Sequence, residues 1–436
     1  MINLRLKVIS NGRLSFRFSA VWIMLCGIGT LCWSQQFSPL DRDEVQRTLD
    51  TAADEVKKHY YDPKLHGVDW DAKIREAKEN IGKSDSLNRG LSQVAALLDS
   101  LNDSHTFFLP PRRPYRLEYG FRMQMVGDHC YVVRIRPGSD AETKGLKPGD
   151  EILTVNGYAP ARESFWKMEY VYDVLRPQPG LNLTVRAPTG EHRQIAVAAT
   201  MHERPKVIDP RGSDIWDLVR DSEDIKHSAR VRYAEKGKDL LIVKLPQFGF
   251  EEDSILGKMR KYKAVVFDLR GSPGGSVDTL KALLGGLFES KVKIGDRVGR
   301  NATKPLETDT RSHPVTGKLV VLIDSKSASA SELFARVIQI EKRGMIVGDR
   351  SAGAVMEAIH YSCGLGGASI TDADIKMTDG QSLEHTGVVP DKVILPTASD
   401  IANDRDPVLA QAAEMVDVKI SPEEAGKFFP FEWPRE

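Results

Sequence analysis

Hydrophobic positions along this chain follow two periods, and the change from one to the other divides it into regions. Between residues 41 and 110, apolar residues recur every three or four positions, which predicts a helical region. Between 115 and 200 they alternate with polar residues in short runs, which predicts strands. From 238 to 400, strand-like runs alternate with helical patterns, as is typical of an α/β domain. The stretch 201–237 is expected to be a linker, and residues 401–436 a C-terminal tail.

The first 34 residues have a different pattern, with a basic head followed by an apolar run over residues 18–33. Cys32 and Ser34 provide small side chains before a possible cleavage point at Gln35, which indicates a secretory signal peptide. The alternative is an uncleaved anchor in the membrane, because the run is near the shortest length that spans a bilayer. Both interpretations predict an exported protein, periplasmic or associated with the cell envelope.

Composition narrows the possible partners. The 61 basic residues are balanced by 61 acidic residues, so there is no electrostatic reason to expect nucleic acid as a partner. After the leader only Cys130 and Cys363 remain, and they are expected to be free, buried thiols. No metal-binding or nucleotide-binding motif is present, so no cofactor is expected. The sequence leaves the oligomeric state open.

A serine-rich segment follows the apolar strand 319–323 and precedes a helical pattern. Ser327, Ser329 and Ser331 are separated only by alanines, and one of them is expected to head the helix. A serine at a strand-to-helix turn exposes its hydroxyl beside free main-chain N–H groups, which favours nucleophilic catalysis. The alternative is a capping box formed by Ser329 and Glu332, which would be purely structural.

A second strand-to-helix turn is rich in glycine. Strand-like residues 265–269 run into Gly274 and Gly275, which tolerate unusual φ values and let a ligand approach the main chain. A phosphate-binding loop fits poorly because no Gly-Lys-Ser/Thr sequence follows. An ordinary tight turn remains the structural alternative.

The segment 141–157 resembles a PDZ domain, with a short helix, a Pro-Gly turn and an Asn-Gly hairpin in the expected order. We therefore interpret residues 115–200 as a PDZ domain. Tyr119-Gly120-Phe121 resembles the loop that binds a peptide's C-terminal carboxylate with main-chain N–H groups. The alternative is an ordinary β-sheet domain.

Four motifs in order carry a more specific resemblance. They are Asp268-Leu-Arg-x-x-x-Gly-Gly, the Ser-Ala-Ser-Ala-Ser-Glu segment, the preceding PDZ pattern, and a Glu-x-x-Gly-x-x-Pro-Asp motif that begins at Glu384. Together they resemble the tail-specific, or carboxy-terminal-processing, serine peptidases of family S41. The resemblance implies a crotonase-like α/β catalytic domain and makes Ser329 the nucleophile, rather than Ser327 or Ser331.

The chain departs from this pattern at one position. The branch that uses lysine places its base 25 residues after the serine, and this sequence has Ala354 there. The pair Ser104-His105 instead resembles the histidine-using, tricorn-like branch of the same superfamily. By that resemblance His105 is the general base, and Glu384 orients its imidazole through the Ser104 hydroxyl.

An imidazole with an ordinary pKa of about 6.5 can take the proton of a serine hydroxyl at neutral pH. His360 and His385 lie in the α/β region and are rival candidates. The structural alternative for His105 is a surface histidine that follows an Asx-turn at Asp103.

The combined prediction is an exported serine endopeptidase that cleaves protein or peptide substrates after the PDZ domain captures their C-termini. The main-chain N–H of Ala330, with that of Gly274 or Gly275, is expected to bind the oxyanion. The alternative is a catalytically inactive, PDZ-containing protein that binds peptides or other ligands.

Overall fold

The computed structural model describes residues 37–203, 230–249 and 251–433. The predicted leader, residues 1–34, therefore lies outside the described residues, as does most of the predicted linker. Within the described ranges, no helix is both long enough and apolar enough to cross a membrane.

The N-terminal region is helical, as its periodicity predicts, and each of its long helices begins at a polar cap. Ser38, Asp69 and Ser86 each accept a hydrogen bond from the first turn of the helix that follows. The apolar faces of the helices share a core with Phe108 and Ile370. The elements are α1 (Pro39–His59), α2 (Trp70–Lys83), α3 (Leu87–Asp99) and β1 (Phe107–Leu109).

The β-rich domain contains an antiparallel sheet of five strands with a core of its own. Asn156 and Gly157 have φ values of 50° and 86°, the conformation of a type I′ hairpin turn, which the Asn-Gly pair predicts. A two-stranded pair, β2 with β8, joins the two ends of the domain. Its elements are β2 (Tyr115–Glu118), β3 (Phe121–Val126), β4 (His129–Ile135), α4 (Asp140–Thr143), β5 (Glu151–Val155), α5 (Phe165–Glu169) with a π-helical continuation (Tyr170–Leu175), β6 (Gly180–Arg186), β7 (His192–Ala198) and β8 (Thr200–Glu203).

The C-terminal domain is built on a six-stranded sheet that is parallel except for its edge strand β9. Alternate residues of each strand face opposite layers. Leu241 and Val243 pack toward helices α6, α7 and α8, whereas Leu240 and Ile242 pack toward α10 and α11. Across the sheet, the strands are β18 (Lys392–Val393), β15 (Met345–Gly348), β14 (Lys318–Ile323), β11 (Ala264–Asp268), β10 (Leu240–Lys244) and β9 (Arg232–Lys236). The helices are α6 (Glu252–Met259), α7 (Val277–Gly285), α8 (Ala330–Ile340), α9 (Ala398–Ala402), α10 (Pro407–Glu414) and α11 (Pro422–Ala425).

Two sequence-based boundaries need correction. Strand β9 lies inside the stretch 201–237 that was predicted to be a linker, because its main chain pairs with the antiparallel strand β10. Residues 401–433, predicted as a C-terminal tail, are part of the C-terminal domain, since α10 and α11 cover one face of the parallel sheet. The predicted α/β class is confirmed.

The sequence analysis did not predict an antiparallel sheet that connects the N-terminal helical region to the C-terminal domain. Strand β1 of the N-terminal region pairs with β17, with Phe107 opposite Ser369. This pairing carries the loop ahead of β1, residues 100–106, against the C-terminal domain. The other strands of this sheet are β12 (Lys293–Gly299), β13 (Thr303–Glu307), β16 (Met356–Cys363) and β17 (Gly366–Met377).

Candidate active site

Ser329 occupies the turn between β14 and α8, as the sequence predicts. Its φ of 53° and ψ of −119° differ from the extended conformation that an ordinary N-cap residue adopts. A non-glycine residue held there is strained, and a strained strand-to-helix turn is the local structure that exposes a nucleophilic serine. Its main-chain N–H donates to the carbonyl oxygen of Ala354 at 2.8 Å.

The three neighbouring serines have different environments. The hydroxyl of Ser327 is buried and donates to the carbonyl oxygen of Leu269 at 2.9 Å. Ser331 is also buried, and its hydroxyl bonds to Ser272. Ser329 is only partly buried. Of the three, Ser329 is therefore the serine that a substrate can reach.

His105 lies in the loop ahead of β1 and is tied to Glu384 through Ser104. The Nδ1 atom of His105 lies 2.7 Å from the Ser104 hydroxyl oxygen, and that hydroxyl lies 2.9 Å from Oε2 of Glu384. The Ser104 main-chain N–H also donates to Oε1 of Glu384 at 2.7 Å. A hydroxyl has one proton, and donating it to an ionised carboxylate leaves Ser104 to accept from Nδ1–H. Nε2 of His105 is then unprotonated.

The segment 353–355 joins the histidine and serine halves of the site. Val355 donates its main-chain N–H to Oε2 of Glu384 at 2.9 Å, and the neighbouring carbonyl of Ala354 accepts from Ser329. One short segment thus holds the carboxylate behind His105 and the main chain of the serine. At the position where the related branch has lysine, Ala354 contributes only main-chain bonds.

The two rival histidines lie close to this cluster but are bonded differently. His385 is exposed, and its Nε2 donates to the carbonyl oxygen of Asn102 at 2.8 Å. His360 is exposed on strand β16. Among these histidines, the hydroxyl-to-carboxylate connection belongs to His105.

Burial shifts the pKa of both ionisable groups in this hydrogen-bonded path, His105 and Glu384. Burial lowers the pKa of His105, the nearby Asp103 carboxylate opposes that shift, and His360 adds to it. Burial also raises the pKa of Glu384, although N–H donors from Val355 and Ser104 act against it. An imidazole with a lowered pKa is neutral at physiological pH and available as a base.

The glycine-rich turn packs against Ser329. Gly274 has a φ of 97°, and a Cβ atom there would lie 2.8 Å from the carbonyl oxygen of Ala328 and from the nitrogen of Ala330. Glycine is therefore required for this close approach. Within the described residues, no acceptor is bonded to the N–H groups of Gly274, Gly275 or Ala330. These three amides are free to bind a developing negative charge.

Glu332 has a larger structural role than the predicted capping box. Its fully buried carboxylate accepts from the N–H of Ser329 at 3.1 Å and from those of Gly353 and Ala354 at 2.8 and 2.9 Å. The Ser351 hydroxyl donates at 2.5 Å. Burial raises the pKa of Glu332 to about 7. The sequence analysis found the cap but missed this set of bonds, because a capping box does not reveal whether its glutamate is buried.

The predicted carboxylate-binding loop leads into β3, the edge strand of the five-stranded sheet. The hydroxyl of Tyr119 anchors the loop by bonding to the main chain of Tyr172 and Gln178. Gly120 has a φ of 71°, and a Cβ there would lie 2.3 Å from that of Ser139. Phe121 begins the edge strand. An open strand edge beside a loop of this kind is suited to binding an extended peptide.

Two regions of the chain match models of known families. Residues 239–394 match the model for Peptidase family S41, and residues 112–185 match the model for the PDZ domain. The matched regions are those expected of a serine-type peptidase that carries a PDZ domain. Residues 239–394 are thus similar to peptidase family S41, as the motif order predicts.

Individual relatives and one solved structure are similar to this chain. The tail-specific protease of Haemophilus influenzae is 27% identical over 58% of this chain and 36% of its own length. The putative tricorn protease homolog 2 of Streptomyces coelicolor is 24% identical over 85% of this chain and 32% of its own length. The chain thus spans about a third of the length of these two curated relatives. The crystal structure of mature CPAF has a similar fold, with a TM-score of 0.64 and 16% identity over 87% of this chain and 96% of that one.

Proposed function

We propose that this protein is a serine endopeptidase that hydrolyses peptide bonds of protein substrates, with Ser329 as nucleophile and His105 as general base. The observation that carries the proposal is the bonded path from His105 through Ser104 to Glu384, which the segment 354–355 links to the main chain of Ser329. A carboxylate–hydroxyl–imidazole path beside a strained serine has the parts that acyl transfer requires.

In the proposed reaction, Oγ of Ser329 attacks the carbonyl carbon of the scissile bond while Nε2 of His105 takes the hydroxyl proton. The resulting imidazolium then gives this proton to the leaving amine, and an ester to Ser329 remains. Water attacks the ester carbon, and His105 again accepts and returns a proton. Glu384 stabilises the imidazolium through Ser104 and keeps the Nδ1–H tautomer in place.

The oxyanion is proposed to lie between the N–H of Ala330 and that of Gly274 or Gly275. All three amides lack an acceptor within the described part of the chain, and Ala330 begins α8, whose N-terminal end carries partial positive charge. Donors already in place when the charge develops lower the barrier, because no reorganisation is needed at that moment.

The PDZ domain is proposed to bind the C-terminus of a protein substrate along β3, beside Tyr119, Gly120 and Phe121. Such binding raises the local concentration of the rest of the substrate near Ser329. The basic and apolar leader supports export to the periplasm or cell envelope, with cleavage or membrane anchoring as the two possible fates of the segment.

Labelling with a fluorophosphonate probe tests the nucleophile directly. We expect the full-length wild-type protein to be labelled at Ser329 and the Ser329→Ala variant to remain unlabelled. The exposed Ser362 offers a matched control, and Ser362→Ala is expected to label as the wild type does. Absence of wild-type labelling, or equal labelling of Ser329→Ala, contradicts a peptidase and favours the inactive peptide-binding alternative.

Cleavage of an unstructured polypeptide tests the base. His105→Ala is expected to lower kcat by about 10³-fold or more, because serine then has no proton acceptor, while the melting temperature changes little. His360→Ala and His385→Ala are the matched controls and are expected to retain most activity. Retained turnover in His105→Ala would move the base to one of these two residues.

A further inference from the structure

Asp103 lies two residues before the proposed base and takes no part in the reaction described above. It sits in the loop between α3 and β1, and only 3% of its surface is exposed. A carboxylate is removed from water at this level only when its oxygens are well bonded. Its four bonding partners come from three separate parts of the fold.

Two of these bonds hold the turn that carries His105. The Oδ1 atom of Asp103 accepts from the main-chain N–H of His105 at 2.9 Å and from that of Thr106 at 2.7 Å. This is the Asx-turn that the sequence alternative for His105 assumed, but the histidine it carries is partly buried and bonded to Ser104. The turn fixes the main chain from which the imidazole projects.

The other two bonds attach this turn to rigid elements. The hydroxyl of Tyr60, just after α1, donates to Oδ2 of Asp103 at 2.8 Å. The hydroxyl of Thr371 in β17 donates to Oδ1 at 2.7 Å. Both hydroxyls are buried, as is the Thr106 side chain, which bonds to Thr371. The histidine loop is thus connected to the N-terminal helices and to the antiparallel sheet through one carboxylate.

All four donors to Asp103 are uncharged, so none of them neutralises its negative charge. The charged or titratable groups that face His105 are Asp103 from its own loop, His360 from β16, and Glu384 through Ser104. Asp103 favours the protonated imidazole, whereas burial and His360 disfavour it. During the proposed reaction the imidazole becomes positively charged, and a fixed anion nearby stabilises that state.

We propose that Asp103 is a positioning residue for the general base: it fixes the turn that presents His105 and supplies a buried negative charge to the imidazolium. The inference rests on the proposed function, since it concerns the same base. It also gives the N-terminal helical region a function, because Tyr60 connects that region to the turn.

The test compares Asp103→Asn with Tyr60→Phe and with Asp99→Asn, an exposed carboxylate four residues earlier in the chain. Asparagine keeps an oxygen for the two main-chain N–H donors but removes the charge. Asp103→Asn is therefore expected to lower kcat by about 10- to 100-fold with little change in KM. The acid limb of kcat/KM should move to lower pH, because the group that favours protonation of His105 is gone.

The other two variants distinguish the effect of the Asp103 charge from the effect of its hydrogen bond to Tyr60. Tyr60→Phe keeps the charge and is expected to leave the acid limb in place while lowering kcat by less than about 10-fold. Asp99→Asn is expected to behave as the wild type does. In a Ser329→Ala background, an NMR titration of the His105 imidazole should give a lower pKa when Asp103→Asn is added, a readout that does not depend on turnover.

An unmoved acid limb and an unchanged imidazole titration in folded Asp103→Asn overturn this inference while leaving the proposed base intact. Wild-type kcat in that variant has the same consequence. If His105→Ala cleaves as fast as the wild type, both the proposed base and the role of Asp103 are overturned. The two failures are therefore distinguishable.

Discussion

Glu332 and Glu384 both accept main-chain N–H bonds from the segment 353–355, but their other partners differ. Both carboxylates are buried, and burial raises the pKa of each. Glu332 bonds to the main chain of Ser329 and of the segment 353–354, so it holds backbone in place. Glu384 bonds to the Ser104 hydroxyl, which contacts the imidazole. The first carboxylate holds main chain in place, whereas the second is proposed to fix the tautomer of the His105 imidazole.

The largest effect is expected for Glu384→Gln, which tests whether this carboxylate determines the tautomer of His105. In Glu384→Gln the side-chain amide can donate to the Ser104 hydroxyl, which then donates its own proton to Nδ1 of His105. The imidazole is left in the wrong tautomer, with its proton on Nε2, and kcat is expected to fall by about 10³-fold. Steady-state cleavage of an unstructured polypeptide measures this loss. Asp379→Asn, a change at an exposed carboxylate five residues earlier, should have little effect.

Ser104 provides a smaller test of the same path. Ser104→Ala removes the hydroxyl between the imidazole and Glu384, so kcat should fall by about 10²-fold with little change in KM. Ser104→Thr keeps a hydroxyl at the same position and is the matched control, expected to retain most activity. Comparable activity in Ser104→Ala and wild type would show that the imidazole is oriented without this hydroxyl.

The smallest effect concerns Glu332 and appears in stability. The pKa of Glu332 is raised to about 7, so the folded state keeps this proton at pH values where the unfolded chain has lost it. Between the unfolded value of about 4.3 and about 7, the free energy of unfolding therefore falls as pH rises, by an amount on the order of 3 kcal/mol. Denaturant titrations at several pH values measure this slope.

Glu332→Gln has no such proton and should lose that part of the slope. At pH 5 it is expected to be less stable than the wild type by about 2 kcal/mol, because its amide group faces N–H donors. The difference should close by pH 8, because ionisation costs the wild type roughly 2 to 3 kcal/mol over this range and costs the variant nothing. Glu341→Gln, at an exposed position after the same helix, is the control. A gap that stays constant or widens toward pH 8 contradicts the assigned protonation of Glu332.

Many individual turns, strands and helices were predicted correctly, because the residue patterns that indicate them span only a few positions. The Asn156-Gly157 turn, the strand ahead of Ser329 and the helix after it all depend on short-range conformational preferences. The pair Ser104-His105 was found because the two residues are adjacent. These features needed no knowledge of where the rest of the chain lies.

Other features depend on distant pairing and were missed. Residues 372–377 of β17 alternate polar and apolar side chains, but two partners of this strand, β1 and β12, lie far away in the sequence, so the sheet was not predicted. Its strands cover α7, α8 and the N-terminal helices. The strand β9 was assigned to a linker for a different reason: it pairs with the next strand, β10, but contains only two apolar residues, Tyr233 and Ala234. The bonds of Asp103 and Glu332 were equally hidden, since sequence does not reveal burial.

By itself, the sequence determined the order of domains, the family and the small set of residues able to carry acyl-transfer chemistry. The motif resemblance had already indicated Ser329 rather than Ser327 or Ser331, and the tertiary structure added the physical reason, because burial and bonding of a hydroxyl depend on neighbours from other strands. The tertiary structure alone brought Ser104 to Glu384, 280 positions away in the chain. Residues so distant meet only after strands such as β1 and β17 have paired, and that pairing is stabilised by cores to which many segments contribute.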